Sequence, residues 1–157
     1  MTEVEVSRLF SELAKSTEIL HKKSDSINAI IERFQEKLLE LKPGLEVWLV
    51  SSPLVSRKRI VESEDGDEHR ILEIAQELGY ARVDREWTLA VREAQYNCDE
   101  SGEANERVSA SDPEALLGRS RRVRIEALKH FPELLRALKR EVDDAIESIG
   151  SAEKFVK

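Results

Sequence analysis

The side chains best suited to chemistry in this sequence are Cys98 and the three histidines His21, His69 and His130. A metal site needs several nitrogen, sulfur or oxygen ligands within reach of one point. No histidine here lies three or four residues from another or from Cys98, so no ligand pair shares a helix face. His69 follows Asp65, Asp67 and Glu68. That loop lacks the fixed ligand offsets and terminal glutamate of a calcium loop, and a solvated acidic loop is the expectation. Cys98 stands between Asn97 and Asp99, and the neighbouring carboxylate disfavours an anionic nucleophile. The serines have no glycine-flanked elbow. The six glycines are dispersed and no glycine-lysine-serine or glycine-lysine-threonine run exists, so no phosphate cradle is encoded. No catalytic residue, metal or cofactor is therefore expected, and the chain reads as a binding protein in preference to an enzyme.

The arginines are more distinctive. Arg119, Arg121, Arg122 and Arg124 fall within six residues, and Arg57-Lys58-Arg59 forms a second basic patch. Guanidinium groups bridge phosphates in a bidentate way, so a basic helix could lie along a nucleic-acid backbone. The formal net charge of −7 and the 5% aromatic content argue the other way. The plainer expectation is that these arginines pair with Glu114, Glu126 and the acidic middle of the chain. That middle, residues 44–112, holds 16 acidic and 8 basic side chains, whereas residues 113–157 hold 8 and 10.

The elements that would carry these residues follow from periodicity. Every seventh residue from Val6 is apolar: Val6, Leu13, Leu20, Ile27, Phe34 and Leu41. Phe10, Thr17, Ser24, Ile31 and Leu38 form the companion column, so a long amphipathic helix is expected over residues 1–43, stopped by Pro43-Gly44. From residue 6 to 41 such a helix measures about 54 Å. A compact chain of 157 residues has a radius of gyration of roughly 15 Å. The helix must then protrude, bend or pair along its length.

Residues 44–98 read as a sheet region. Leu45–Val50 has strand composition and Ile60-Val61 fits a short strand. In residues 71–78, Ile71, Ile74, Ala75 and Leu78 fit a helical stripe while Leu72, Ile74, Leu78 and Tyr80 fit a strand face, and a strand running into a hairpin is the favoured reading. That hairpin joins Gly79–Val83 to Trp87–Arg92 through a polar turn at Asp84-Arg85-Glu86. Glu62–Glu68 and Asn97–Ser111 read as acidic loops, residues 99–111 being flexible. Asp112-Pro113 is the expected start of a second helix. Its stripe runs Leu128, Phe131, Leu135, Leu138, Val142, Ala145 and Ile149, with Pro132 kinking or dividing it near residue 131 and Gly150 ending it. Residues 151–157 form a tail.

One α+β domain over residues 1–157 is thus expected. It comprises a long N-terminal helix, a small antiparallel sheet of three or four strands, and a long kinked C-terminal helix. The two helices are expected to pack antiparallel, with paired residue numbers summing to about 155, so that Leu13 meets Val142, Leu20 meets Leu135 and Ile27 meets Leu128. Trp48 and Trp87 are expected in the core.

With a single cysteine, no internal disulfide can form. No apolar run reaches the roughly 18 residues of a membrane span. The opening residues, Met1-Thr2-Glu3-Val4-Glu5, have no basic-then-apolar leader pattern, so the cytoplasm is the expected compartment. The functional expectation is a protein-interaction or adaptor module. Its contacts would be Val6, Phe10, Leu13, Leu20, Ile27, Ile31, Phe34, Leu128, Phe131, Leu135, Leu138 and Val142. The partner would be another protein or a second copy of the chain. Nucleic-acid association through Arg119, Arg121, Arg122 and Arg124 is the alternative.

Overall fold

A computed structural model describes residues 1–62, 66 and 69–156. Helix α1 spans Glu3–Leu41. Its start is fixed by a reciprocal cap. The Thr2 amide donates to the Glu5 carboxylate at 2.8 Å, and the Glu5 amide donates to the Thr2 hydroxyl at 3.3 Å. Its end is closed by Lys42 in the left-handed region, whose N–H donates to the Leu38 carbonyl at 3.1 Å. Gly44, at φ 64°, completes the turn away from the helix axis.

Among the described residues six strands follow: β1 Val47–Trp48, β2 Val55–Glu62, β3 His69–Val83, β4 Glu86–Cys98, β5 Ala104–Ala110 and β6 Glu114–Ala115. All pairings are antiparallel. The long β3–β4 hairpin is the spine. β1 and β2 share the outer edge of β3, and β5 and β6 share the outer edge of β4. The sheet is therefore four strands wide with both edges interrupted, which is why it counts six strands where three or four were expected. The hairpin turns on two residues, Asp84 and Arg85, at φ 50° and 73°. That double left-handed turn matches the twist of the flanking strands, and Glu86 already belongs to β4.

Three local expectations are corrected. Residues 104–110, expected within a flexible acidic loop, form β5, an edge strand whose seven residues are all exposed. Asp112-Pro113 does not start a helix. Strand β6 and a 3₁₀ turn at Leu116–Gly118 intervene, and helix α2 spans Arg121–Val156. Ser120 caps it, its hydroxyl accepting from the Val123 amide at 3.4 Å. Gly150 does not end α2 either; the helix runs unbroken through Pro132 and Gly150, so most of the expected tail is helical. Of the acidic loop Glu62–Glu68, only Glu62 and Gly66 are among the described residues. The Asp65, Asp67 and Glu68 ligand set lies outside them.

The main core joins one sheet face to both helices. Leu78, Tyr80, Leu89 and Val91 from the hairpin meet Ile31 and Leu38 of α1 and Val123, Ala127, Phe131, Leu134 and Leu138 of α2. Tyr80 stacks on Trp87 with ring centroids 5.4 Å apart, and Phe34 stacks on Phe131 at 4.2 Å.

Where the helices touch, their residue numbers rise together. Arg124 donates to Asn28, Phe34 lies on Phe131, and Leu38 and Leu41 converge with Leu135, Leu138 and Val142. The helices thus run in the same direction over their contact, and the antiparallel intramolecular register is corrected. Both enter the shared core from one side, because Leu116 seats the start of α2 in the core beside the strand that α1 also reaches. The N-terminal half of α1 then overhangs one end of the body and the C-terminal half of α2 overhangs the other.

Candidate functional site

The heptad stripe of α1 has two fates along one helix. Ser24, Ile31 and Leu38 are its only buried residues, and Ile27 and Phe34 pack partly against the core. Towards the N-terminus the same stripe has nothing over it. Phe10 is 67% exposed and Leu13 59%, with Val4, Leu9 and Leu20 also exposed and Val6 half-buried. The uncovered stretch, residues 3–23, is an arm about 30 Å long.

The stripe of α2 divides in the same way. Phe131 and Leu138 are buried and Leu128 partly so. Leu135 is exposed, Val142 half-buried, and Ile146 and Ile149 are 63% and 60% exposed. Residues 139–156 form a second arm of about 27 Å. At its root, Leu38 and Leu41 from the end of α1, Pro43 and Leu45 from the segment after it, and Leu135, Val142, Ile146 and Ile149 from α2 line an open apolar groove of ≈ 630 Å³. All twelve expected contact residues therefore lie on the two stripes. Val6, Phe10, Leu13, Leu20, Leu135 and Val142 are on the uncovered parts, and Ile27, Ile31, Phe34, Leu128, Phe131 and Leu138 are in or against the core.

The arginine cluster does not present one face. Arg119 donates to Glu114 at 2.7 Å, as the pairing expectation had it. Arg124 turns inward to Asn28 of α1. Arg121 is half-buried and Arg122 exposed. Glu126 is taken by Lys129 at 2.7 Å instead of by an arginine, and that bond holds its carboxyl below the usual range.

A second polar cluster was not anticipated from sequence. Glu77 of β3 is fully buried. Its Oε2 accepts from Arg92 Nε at 2.9 Å and its Oε1 from the Tyr96 hydroxyl. The Arg92 guanidinium lies 4.3 Å from the Trp48 ring centre, and Trp48 covers Gly79, where any Cβ would overlap the indole and the Val47 carbonyl. Burial, then the bond to Glu77 and its charge, push the Tyr96 phenol up to about 12. A phenol held protonated and a carboxylate engaged on both oxygens hold one another in place and leave no free base. The hairpin register could have revealed this cluster, because a turn at 84–85 sets Glu77 opposite Arg92.

Among the described residues, no group of three or more His, Cys, Asp or Glu is arranged to hold a metal ion. No described helix is long and apolar enough to cross a membrane. Comparison of the chain with protein-family models, with curated proteins and with solved structures finds no match.

Proposed function

We propose that this chain is a protein-interaction module whose contact surfaces are the two overhanging helical arms. One observation carries the reading. The apolar stripe of each helix continues in register well past the last residue its own body covers. Scattered exposed apolar side chains are ordinary on soluble proteins, but a contiguous stripe marks a surface that another chain covers. Most helical stability in proteins comes from packing of an amphipathic face, and these two faces have no such packing from their own chain. The mode is helix against helix or helix in groove, with anchors at i, i+3, i+4 and i+7.

The test is position-dependent photocrosslinking in cells that express the chain. A photoreactive residue at Phe10, on the arm stripe, is expected to link to a polypeptide. The same residue at Lys15, off the stripe on the same arm, is expected to link far less. Equal linkage at both positions, or none at Phe10, would contradict the reading.

A further inference from the structure

We infer that the arms are covered by a second copy of this chain, in a closed twofold dimer in which each N-terminal arm lies antiparallel along the other copy's C-terminal arm. This rests on the reading of the arms as contact surfaces and adds what covers them.

The placement of the arms carries the argument. Within one chain α1 and α2 run in the same direction, so the arms point away from opposite ends of the body. A twofold axis across the middle of the helical layer reverses the second copy. It then brings the N-terminal arm of each chain to the end from which the C-terminal arm of the other projects, at both ends at once. Both stripes are satisfied by one repeated contact and none is left over, as a closed isologous dimer requires. A head-to-tail contact would satisfy one arm per chain and leave a free arm at each end, which builds open filaments.

The stripes fit in that orientation. With paired residue numbers summing to 155, Val6 meets Ile149, Phe10 meets Ala145, Leu13 meets Val142 and Leu20 meets Leu135. Large faces small at Phe10–Ala145, and the small Thr17 falls beside Leu138, as interdigitated packing favours. The groove at the root of the C-terminal arm supplies the seat for the incoming arm. Each arm pair brings together about nine apolar side chains. At roughly 45–70 Å² each, two pairs bury about 800–1,300 Å² of apolar surface, which reaches the lower end of a stable interface, roughly 1,200–2,000 Å².

The experiment uses the full chain with Cys98→Ser, Leu13→Cys and Val142→Cys. The arms of one copy point apart, so a disulfide between positions 13 and 142 joins two copies. Mild oxidation is expected to give a covalent dimer on a non-reducing gel. The control pair Leu13→Cys with Ile149→Cys, two helical turns out of register, is expected to stay largely unlinked. The unsubstituted chain, sedimented at equilibrium, should show the same dimer. Equal linkage of both pairs, a ladder of linked chains, or a monomer of 17.9 kDa at all concentrations would each overturn the inference. Photocrosslinking at Phe10 separates the two claims. A crosslink only to a different polypeptide removes the second copy and keeps the arms as contact surfaces, whereas no crosslink removes both.

Discussion

Glu77, Arg92 and Tyr96 form a buried ionic cluster outside the main hydrophobic core. Removing one member of such a pair strands the other charge. Glu77→Ala is therefore expected to lower unfolding stability by about 3–5 kcal/mol, read from the urea midpoint. Tyr96 gives a pH signature. Its phenol ionises near 10.0 when free and near 12 in the fold. Across that interval the unfolded chain binds fewer protons than the folded one, so stability is complete below pH 10 and falls as pH rises towards 12. The loss amounts to about 2–3 kcal/mol. Thermal melts at stepped pH should show an alkaline drop that is smaller in Tyr96→Phe, and identical drops would contradict the assignment. Gly79→Ala should cost about 1–3 kcal/mol through overlap with Trp48. None of the three polar residues stands out in the sequence, because they are spread over two strands. Only the pairing register joins them, and the hairpin turn fixes that register.

At the scale of elements, the hairpin and the two long helices were legible because their patterns repeat over many residues. The edges were not. β5 buries none of its seven residues, so it lacks the alternation that identifies a strand, and its order comes from backbone pairing to β4. Asp112-Pro113 carries the composition of a helix start, yet the pair lies in the short irregular link between β5 and β6 on the same edge of β4. Leu116, fully buried, anchors the chain there, and α2 waits for the cap of Ser120. The β3–β4 turn holds Arg85 at φ 73°, a region that costs a residue with a Cβ about 1–2 kcal/mol. Arg85→Gly should raise stability by about 0.5–1 kcal/mol despite the greater freedom of the unfolded chain, as judged by the shift in thermal midpoint. The two halves of α1 should also respond differently. Ile31→Ala creates a core cavity and is expected to cost about 2–5 kcal/mol at any protein concentration. Leu13→Ala is expected to matter only where chains associate, with its cost fading to within about 0.5 kcal/mol on dilution. Equal costs that persist on dilution would place Leu13 in a core of its own chain.

At the scale of the whole molecule, the α+β class follows from the order of periodicities: helix, alternating strands, helix. The relative direction of the two helices does not. A stripe repeating every seven residues reads the same forwards and backwards, so apolar matching alone permits both orientations. Direction is set by where each helix joins the sheet. The β6 segment carries the chain back to the side from which α1 also enters, and the helices then cross the core together. Because they do, each overruns the body at a different end, and the molecule presents two uncovered amphipathic arms in place of one stalk. The register that fails within a chain is the one proposed between chains.

Light scattering of the purified chain across a dilution series tests that proposal most directly. The account predicts a mass of twice 17.9 kDa at high concentration, falling towards 17.9 kDa on dilution, with Leu13→Glu shifting the transition to higher concentration. A constant 17.9 kDa up to millimolar concentration, or a mass that keeps growing beyond the dimer, would contradict it.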